Sequence, residues 1–469
     1  MLSCVSRLVA LPAQGPAFSV LRCQRGNGDA TTSIVTFLKH RKALFQTWKS
    51  PARMLPGKRC PCMLLRFIQQ ALEWRSTYER AIYLSKGVLR LDAAQIEAEK
   101  RRAAAELSAA ESCMEERTLV EQNIEGFRQR ILSQVFTDND AVNEIAKYVL
   151  TSQSKLFRPR LGLMIARVIS VCSYAGAQGV TTPTPDGWPE SPIAPAESSD
   201  DVMERVLRLL QSYEIVHAGS LIHDDILDDA ETRRRLQSVH LKVGTKLAVL
   251  VGDLMLTRAC CTVANLGSQQ PTVRMAKALE NLIKGELMQV KPSNSVDDMM
   301  HVYLNKIFLK TASLIAECSA SIANLFRLDA IDCHKWYLIG LHVGMAFQIY
   351  DDMLDYSRGN VDLGKPTLKD LSSGLITMPL LMALPDSREL ASLIADDAIH
   401  EGNLDAVLSA VRNGQAFERS HCAMMLHLLE ASNLLRAIDV SGTAPGSALS
   451  APIQNLLCFV HDTLTRSKE

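Results

Sequence analysis

The sequence lacks three features that would place it in other structural classes. No uninterrupted apolar run reaches the ~18 residues that a membrane-spanning helix requires, which argues against a transmembrane protein. No segment shows the strict alternation of apolar and polar residues that would predict a β-strand. The 12 cysteines follow no paired metal-binding or disulfide spacing, so a reducing compartment is the simpler interpretation. With 47% hydrophobic and 22% charged residues, the 469-residue chain has the composition of a globular protein.

Acidic residues are almost absent from the first 72 positions. Of the 51 basic and 51 acidic residues in the chain, 11 basic and one acidic residue, Asp29, lie there, which leaves 40 and 50 in the remainder. This acidic remainder argues against general nucleic-acid binding. The basic segment 1–72 is typical of a mitochondrial transit peptide, and a disordered basic tail is the alternative. We therefore predict a mitochondrial protein, in the matrix or at the periphery of the inner membrane.

The composition changes again after this basic segment. Residues 73–118 are rich in Ala, Glu, Lys, Arg and Leu, which predicts a solvated helical arm to which we assign no chemistry. Residues 175–200, rich in Pro, Gly, Ser and Thr, predict an inserted loop within a catalytic domain that spans 119–469. The fold is predicted to be all-α, a single large helical bundle around an apolar cavity. Its clearest predicted helices cover residues 119–135, 141–172, 202–229, 244–267 and 272–290.

An acidic and a basic cluster lie close together in the middle of the chain. Asp224, Asp225 and Asp228 are spaced i, i+1 and i+4, so the first and last share one face of a helix. Neighbouring carboxylates repel one another unless divalent cations bind between them, and Mg2+ takes oxygen ligands that include substrate phosphate. Arginines follow at 233–235, and guanidinium groups match phosphate oxygens geometrically. The stretch predicts a metal-diphosphate site, and a solvated helix face is the alternative.

A second acidic cluster favours the metal-diphosphate interpretation. Asp351, Asp352 and Asp355 repeat the same spacing, again at the end of an apolar helical segment. Carboxylates that project inward from opposing helices are a known way to build a metal site in a helical bundle. Two triads facing one cavity are therefore expected.

The sequence at this point resembles the trans-isoprenyl diphosphate synthases, most closely the long-chain polyprenyl synthases that make quinone side chains. The resemblance covers roughly residues 120–469. Ser154-Lys155-Leu-Phe-Arg158-Pro159 is similar to the family signature Gly-Lys-x-x-Arg-Pro, with Ser in place of the first Gly. The other matching features are both aspartate motifs, Arg233 and Arg234, Lys310 and Thr311, Gln348, and the Gly364-Lys365-Pro366 turn.

This resemblance implies a role for each matching residue. The metal ligands are Asp224, Asp225, Asp228, Asp351, Asp352 and Asp355, for Mg2+ with Mn2+ as an alternative. The residues that bind the diphosphate of isopentenyl diphosphate are Lys155, Arg158, His217 and Arg234. Those that bind the allylic diphosphate are Arg233, Lys310, Thr311, Gln348 and Lys365, and Lys310 is catalytic together with Asp224, Asp225, Asp228, Asp351 and Asp352. Gly285, Glu286 and Gln289 lie on a family-like element whose role is left open.

Small residues just before the first triad bear on product length. Gly219 and Ser220 lie about one helical turn before Asp224, in the path below the metals that a growing chain would take. Because short-chain members of the family carry bulky aromatic residues there, the small pair predicts a long-chain product, and close helix packing is the alternative.

We thus expect a long-chain trans-polyprenyl diphosphate synthase that condenses an allylic prenyl diphosphate with successive isopentenyl diphosphates and supplies a ubiquinone side chain. A shorter-chain farnesyl or geranylgeranyl diphosphate synthase and a subunit of a heteromeric synthase are the alternatives. A terpene cyclase would need no extender site such as Lys155 and Arg158, and a non-catalytic subunit would be expected to have lost aspartates. By analogy with the family we expect a homodimer or hetero-oligomer, with peripheral membrane association through the product.

Overall fold

The computed structural model describes residues 84–108, 114–151, 156–176, 199–234, 236–288, 295–357, 376–395, 404–439 and 451–465. Every described residue belongs to one compact unit of the chain, Trp74–Glu469. The predicted leader, the center of the predicted insertion at 177–198, Lys155 and Lys365 all lie outside the described residues.

The described residues are almost entirely helical, which confirms the predicted all-α fold. A two-residue antiparallel ribbon, β1 (Thr232–Arg233) and β2 (Leu236–Gln237), is the only strand pairing among them. The α-helices in chain order are α1 (Ala93–Ser108), α2 (Met114–Val135), α3 (Asp140–Leu150), α4 (Phe157–Gly176), α5 (Ser199–Leu227), α6 (Val239–Val243), α7 (Thr245–Ala264), α8 (Gln269–Leu287), α9 (Val296–Ile307), α10 (Ser313–Leu325), α11 (Ala330–Ser357), α12 (Met378–Ala383), α13 (Arg388–Ala395), α14 (Leu404–Asn413), α15 (Ala416–Asp439) and α16 (Ala451–Thr465). A π-helix (Phe308–Ala312) joins α9 to α10, and a 3-10 turn (Leu384–Asp386) follows α12.

Two long and largely buried helices carry the acidic triads. Helix α11 packs against α10 on one side and α15 on another, while α5 packs against α7. Trp336 and Tyr337 on α11 and Tyr213 on α5 are among the largest fully buried side chains, because these helices are apolar around most of their circumference. The triads at the carboxyl ends of α5 and α11 are thereby carried on two of the most buried helices.

The predicted helix over 141–172 is interrupted in the structure. Helices α3 and α4 replace it, and Leu156, just before α4, has a φ of 48°. An L-residue with a positive φ cannot continue a right-handed helix, so the chain must start a new one. Pro159 then lies in the first turn of α4, where its missing N–H costs no helical hydrogen bond.

The helical arm predicted over 73–118 is not fully solvated where the structure describes it. Helix α1 packs against α15, and Val88, Ile96 and Ala103 are buried. The Ser85 hydroxyl lies 3.0 Å from Nε2 of His427, whose Nδ1 lies 3.0 Å from Nδ1 of His342. Helix α2 also runs across the predicted boundary between residues 118 and 119. The described part of the arm is therefore packed and hydrogen-bonded against the catalytic bundle.

Helix α7 has an unusually apolar surface. By length and composition alone it could cross a membrane, although Asp253 and Arg258 interrupt its apolar sequence. Only 33% of its most apolar stretch is buried within the chain, and Val249 and Leu250 are exposed. Helix α7 therefore exposes apolar side chains that the rest of the described chain does not cover.

Candidate active site

One cavity of about 1480 Å³ is bordered by α4, α5, β1, α7, α8, the π-helix, α11 and α16. Its polar lining includes Arg158, Glu214, His217, Ser220, Asp224, Arg233, Arg234, Glu286, Lys310, Thr311, Gln348 and Asp351. Apolar side chains such as Leu221, Leu256, Leu279, Leu282 and Phe347 line the rest. The cavity thus brings together charged residues that are more than 190 positions apart in sequence, from Arg158 to Asp351, beside an apolar wall.

The three aspartates of the first triad occupy three different environments. Asp224 lines the cavity, Asp225 is buried, and Asp228 is exposed at the helix end. Asp225 Oδ1 accepts hydrogen bonds from Arg233 Nε at 2.8 Å and Nη2 at 2.6 Å. The chain turns back toward Asp225 because Asp229 adopts a φ of 46° and the Ala230 N–H donates to the Asp225 carbonyl, an arrangement typical of a helix C-terminus. Asp225 therefore anchors Arg233 at the cavity.

Lys310 is held among carboxylates from two helices. Its Nζ lies 2.5 Å from Glu286 on α8 and 3.7 Å from Asp224 on α5. Burial raises the pKa of Asp224 to about 6, with Glu286 and Asp228 adding to the rise and Lys310 opposing it. Burial acts to lower the pKa of Lys310, but Asp224 and Glu286 outweigh it, so the pKa is raised. Three carboxyl groups, those of Asp224, Asp228 and Glu286, thus surround the Lys310 ammonium. This excess of carboxylates favours the binding of further cations.

Two glycines let the π-helix that carries Lys310 and Thr311 sit close to its neighbours. A Cβ on Gly285 would lie 2.8 Å from the backbone nitrogen of Lys310, and a Cβ on Gly344 would lie 2.6 Å from Cα of Ala312. Either contact is too short for a side chain, so α8 and α11 approach the π-helix backbone to backbone. Single π-turns of this kind occur frequently at functional sites.

The second triad also divides between the cavity and the interior. Asp351 is exposed to the cavity, Asp355 is half-buried, and Asp352 is buried. Asp352 Oδ2 accepts a hydrogen bond from the Tyr303 hydroxyl at 2.5 Å, and Oδ1 accepts one from the Gln348 amide at 2.8 Å. Gln348 Oε1 in turn accepts from the Thr311 hydroxyl at 2.6 Å. The predicted substrate residues Thr311 and Gln348 are therefore joined to the second triad.

A second basic group faces the same cavity. Arg158 lies 5.8 Å from the Phe347 ring centre, and its buried Nε has no hydrogen-bond partner among the described residues. Burial raises the pKa of Glu214, with Arg158 and Arg234 opposing the rise. Burial lowers the pKa of His217 well below its usual value, and Arg158 and Arg234 add to that effect, so His217 is neutral at neutral pH. An unpartnered buried guanidinium nitrogen is the kind of donor that an anionic ligand would satisfy.

Some predicted site residues have positions that the sequence did not indicate. Gly219 packs against α7, where an added Cβ would lie 3.3 Å from the Gly252 carbonyl oxygen and 3.3 Å from Leu256, so close helix packing explains this glycine. Ser220 does line the cavity. Within the described part of the chain no three Asp, Glu, His or Cys side chains converge into a group that could hold a metal ion as they stand. The predicted roles of Lys155 and Lys365 stay predictions, since the structure does not describe them.

Sequence reasoning missed three polar residues of the site. Tyr303 and Glu214 carry no motif or spacing that would have singled them out. Glu286 lies in the Gly285-Glu286 element, which the sequence marked without a role. The sequence did contain one signal for Glu286, which is its neighbour Gly285. A glycine within a helix indicates that another part of the chain packs closely against the helix backbone there.

The chain is similar to known proteins over much of its length. The polyprenyl synthetase family matches residues 139–411, which is more than half of the chain. The chain belongs to the polyprenyl synthetase family. It is 33% identical over 304 residues to a probable mitochondrial hexaprenyl pyrophosphate synthase of Neurospora crassa, covering 60% of this chain and 68% of that protein. It is 29% identical over 365 residues to the mitochondrial solanesyl-diphosphate synthase 1 of Oryza sativa subsp. japonica, covering 77% of this chain and 81% of that protein.

Solved structures show the same fold. The heptaprenyl diphosphate synthase of Staphylococcus aureus aligns with a TM-score of 0.61 at 21% identity, covering 74% of this chain and 99% of that one. The decaprenyl diphosphate synthase of Rhodobacter capsulatus aligns with a TM-score of 0.58 at 20% identity, covering 78% and 100%. As a member of this family the protein is a prenyltransferase, and polyprenyl synthases use isopentenyl and allylic diphosphates and are generally Mg2+-dependent.

Proposed function

We propose that this polyprenyl synthetase is a long-chain trans-polyprenyl diphosphate synthase that supplies a ubiquinone side chain. The observation that carries the proposal is the single cavity in which Asp224, Asp351 and Lys310 lie beside Arg158 and Arg234. Relatives named hexaprenyl and solanesyl diphosphate synthases support a long product over a farnesyl- or geranylgeranyl-sized one.

The reaction needs positively charged groups that bind two diphosphates, and it needs an apolar environment that keeps water away from the allylic cation. Lys310 and Arg233 stabilise the diphosphate that leaves as the allylic C–O bond breaks. Arg158, Arg234 and neutral His217 bind the diphosphate of isopentenyl diphosphate, with Lys155 as a further predicted contact. The double bond of the extender attacks the allylic carbon, and the released diphosphate accepts the proton whose loss restores a trans double bond. The apolar wall, which includes Leu221 and Leu256, excludes water from the allylic cation.

The donor chemistry of the acidic triads fits Mg2+, with Mn2+ as an alternative. Carboxylate oxygens are the hard ligands that Mg2+ prefers, and the excess negative charge around Asp224 favours added cations. Asp224, Asp228, Asp351 and Asp355 would hold the metal. Asp225 and Asp352 already accept hydrogen bonds from protein donors, so we assign them a supporting part. When bound, Mg2+ offsets the charge that develops on the departing diphosphate.

The product would grow along the apolar part of the cavity. Ser220 lines the cavity one turn before Asp224, and its small side chain leaves that path open. The Ser220 hydroxyl donates to the His217 carbonyl at 3.0 Å, so it stays within its own helix. Ser220 therefore carries the predicted control of chain length, and Gly219 contributes by letting α5 and α7 pack closely.

The exposed apolar surfaces of α7 and α8 support the predicted oligomer. Val249 and Leu250 on α7 and Val273, Ile283 and Leu287 on α8 are all exposed large hydrophobic residues. Exposed large apolar side chains on two helices that pack against each other indicate a protein partner, either a second copy of the chain or another subunit. Sedimentation should show a dimer or larger complex, and Leu250→Glu should shift it toward monomer. A fully active monomeric wild type would contradict this assignment.

A mitochondrial destination follows from the basic leader and from relatives named mitochondrial. We place the enzyme in the matrix or at the periphery of the inner membrane, with its apolar product providing the membrane contact. Residues 1–72 fused to a fluorescent reporter should direct it to mitochondria. A reporter that stays in the cytosol would reject the assignment.

The activity itself is tested with radiolabelled isopentenyl diphosphate, farnesyl or geranylgeranyl diphosphate, and Mg2+. We expect label in apolar products longer than geranylgeranyl, and no incorporation when Mg2+ is chelated. Consumption of the allylic diphosphate without incorporation of label would indicate a terpene cyclase. Activity that appears only when a second subunit is added would indicate a heteromeric synthase.

A further inference from the structure

Tyr303 is a fully buried tyrosine that no part of the proposed reaction uses. It lies on α9, where only 2% of its surface is exposed, and its hydroxyl donates to Asp352 Oδ2 at 2.5 Å. A buried carboxylate must be hydrogen-bonded to be stable, and Asp352 is only 5% exposed. Tyr303 therefore holds one member of the second acidic triad through a tertiary contact. The two residues are 49 positions apart in the sequence.

Asp352 is held from a second direction by its own helix. The Gln348 amide donates to Asp352 Oδ1 at 2.8 Å, and the Thr311 hydroxyl donates to Gln348 Oε1 at 2.6 Å. Tyr303 on α9 thus donates a hydrogen bond to Asp352 on α11. Thr311 on the π-helix donates one to Gln348, which lies one helical turn before Asp352. Because α9 runs directly into the π-helix, both hydrogen-bond donors lie on one continuous segment.

We propose that Tyr303 is a positioning residue for the prenyl-transfer site: its hydroxyl fixes the Asp352 carboxylate and thereby the end of α11 that carries Asp351 and Asp355. This inference rests on the proposed function, because it assigns Asp351 and Asp355 to the metal-diphosphate site. Tyr303 contacts neither substrate nor metal in this role and acts through Asp352. Outer hydrogen-bond partners of this kind typically change metal affinity or activity by about 10- to 100-fold.

Tyr303→Phe tests the proposal, because it removes one hydroxyl and leaves the ring in place. The matched control is Tyr213→Phe, since Tyr213 is equally buried and its hydroxyl lies 3.2 Å from the Ser321 hydroxyl rather than from a carboxylate. Calorimetry should measure binding of inorganic pyrophosphate in the presence of Mg2+ by the full chain. We expect Tyr303→Phe to bind pyrophosphate about 10- to 100-fold more weakly and Tyr213→Phe to bind it as wild type does.

A double-mutant cycle separates positioning from a general loss of structure. The cycle compares the double variant, Tyr303→Phe with Asp352→Asn, with each single variant. If Tyr303 acts through Asp352, the fold-loss of pyrophosphate affinity in the double variant will be smaller than the product of the fold-losses in the two single variants. Multiplicative losses, or wild-type affinity in Tyr303→Phe, would overturn the inference. Should Tyr303→Phe fail to fold, Asp352→Asn alone carries the test, and wild-type affinity in that variant would also overturn it.

Failure of this inference is distinguishable from failure of the proposed function. A wild-type protein that binds no pyrophosphate with Mg2+ and incorporates no isopentenyl diphosphate would remove the proposed function and this role with it. An active wild type whose Tyr303→Phe variant is equally active and binds pyrophosphate equally well would remove only the role of Tyr303.

Discussion

Lys310 forms an ion pair with Glu286 across 2.5 Å, which joins the π-helix to the end of α8. The contact is possible because the preceding residue, Gly285, lets the two backbones meet. The lysine that is proposed to bind the departing diphosphate is thus already positioned in the free protein, where its positive charge is paired with carboxylates. A diphosphate that enters must compete with Glu286 and Asp224 for this ammonium, and added divalent cations relieve that competition by binding the carboxylates.

The proposed metal ligands on the cavity wall are the most direct test of the site. Asp224→Ala and Asp351→Ala should each reduce incorporation of labelled isopentenyl diphosphate by about 100-fold or more, because each removes charge stabilisation of the leaving group. Circular dichroism should show unchanged helix content. Asp138→Ala is the control, since Asp138 is exposed and lies outside the cavity lining. Turnover at the wild-type level in either cavity variant would reject the metal assignment.

Product length should respond differently to Ser220 and Gly219. Ser220→Phe places a ring in the cavity, so chromatography should show shorter polyprenyl products while the first condensations continue. Ser220→Ala adds no bulk and should leave product length unchanged. Gly219→Phe instead meets the Gly252 carbonyl and Leu256 and should lower the unfolding midpoint by separating α5 from α7. Products of unchanged length from a folded, active Ser220→Phe variant would show that the chain grows along another path.

The buried histidine pair predicts how stability depends on pH. Complete burial lowers the pKa of His427 to about 4, whereas an unfolded chain has an ordinary value near 6.5. Because the unfolded chain binds the proton more readily, stability from this residue is fully present above pH 6.5 and is lost as the pH falls toward 4. The loss amounts to about 3 kcal/mol.

Urea unfolding of the metal-free protein between pH 7 and pH 4.5 measures this dependence. His427→Gln should give a shallower decline of unfolding free energy with falling pH than the wild type. His301→Gln, at an exposed position, should keep the wild-type profile. Parallel profiles for wild type and His427→Gln would contradict the assignment. His342 and Ser85, which face His427, remain unchanged in all three proteins.

The packed arm should contribute to the stability of the catalytic bundle. Ile96 on α1 is 1% exposed and belongs to the same core as α15. Ile96→Ala should lower the unfolding free energy by about 2–5 kcal/mol in a single cooperative transition, because it leaves a cavity in that core. Glu97→Ala, at the neighbouring exposed position, should change it by no more than about 0.5 kcal/mol. A wild-type unfolding curve for Ile96→Ala would show that the arm is not part of the cooperative unit.

The sequence by itself determined the features that depend on local periodicity. The i, i+1, i+4 spacing places Asp224 and Asp228 on one helical face whatever the rest of the chain does, and the same holds for Asp351 and Asp355. The apolar period located α2, α5, α7 and α8 to within a few residues, and the paired motifs were specific enough to indicate the family. A local rule has few alternatives, because it depends only on the geometry of one helix.

The tertiary structure decided which of those residues face the cavity and what holds them. Asp224 and Asp225 are adjacent in sequence, yet one lines the cavity and the other is buried against Arg233. Gly219 and Ser220 divide in the same way between helix packing and the cavity wall. Tyr303 reaches Asp352 across 49 positions, a contact without any sequence signal. Such outcomes depend on how many helices bury their apolar faces at once, and this collective packing cannot be obtained from the pattern of any one helix.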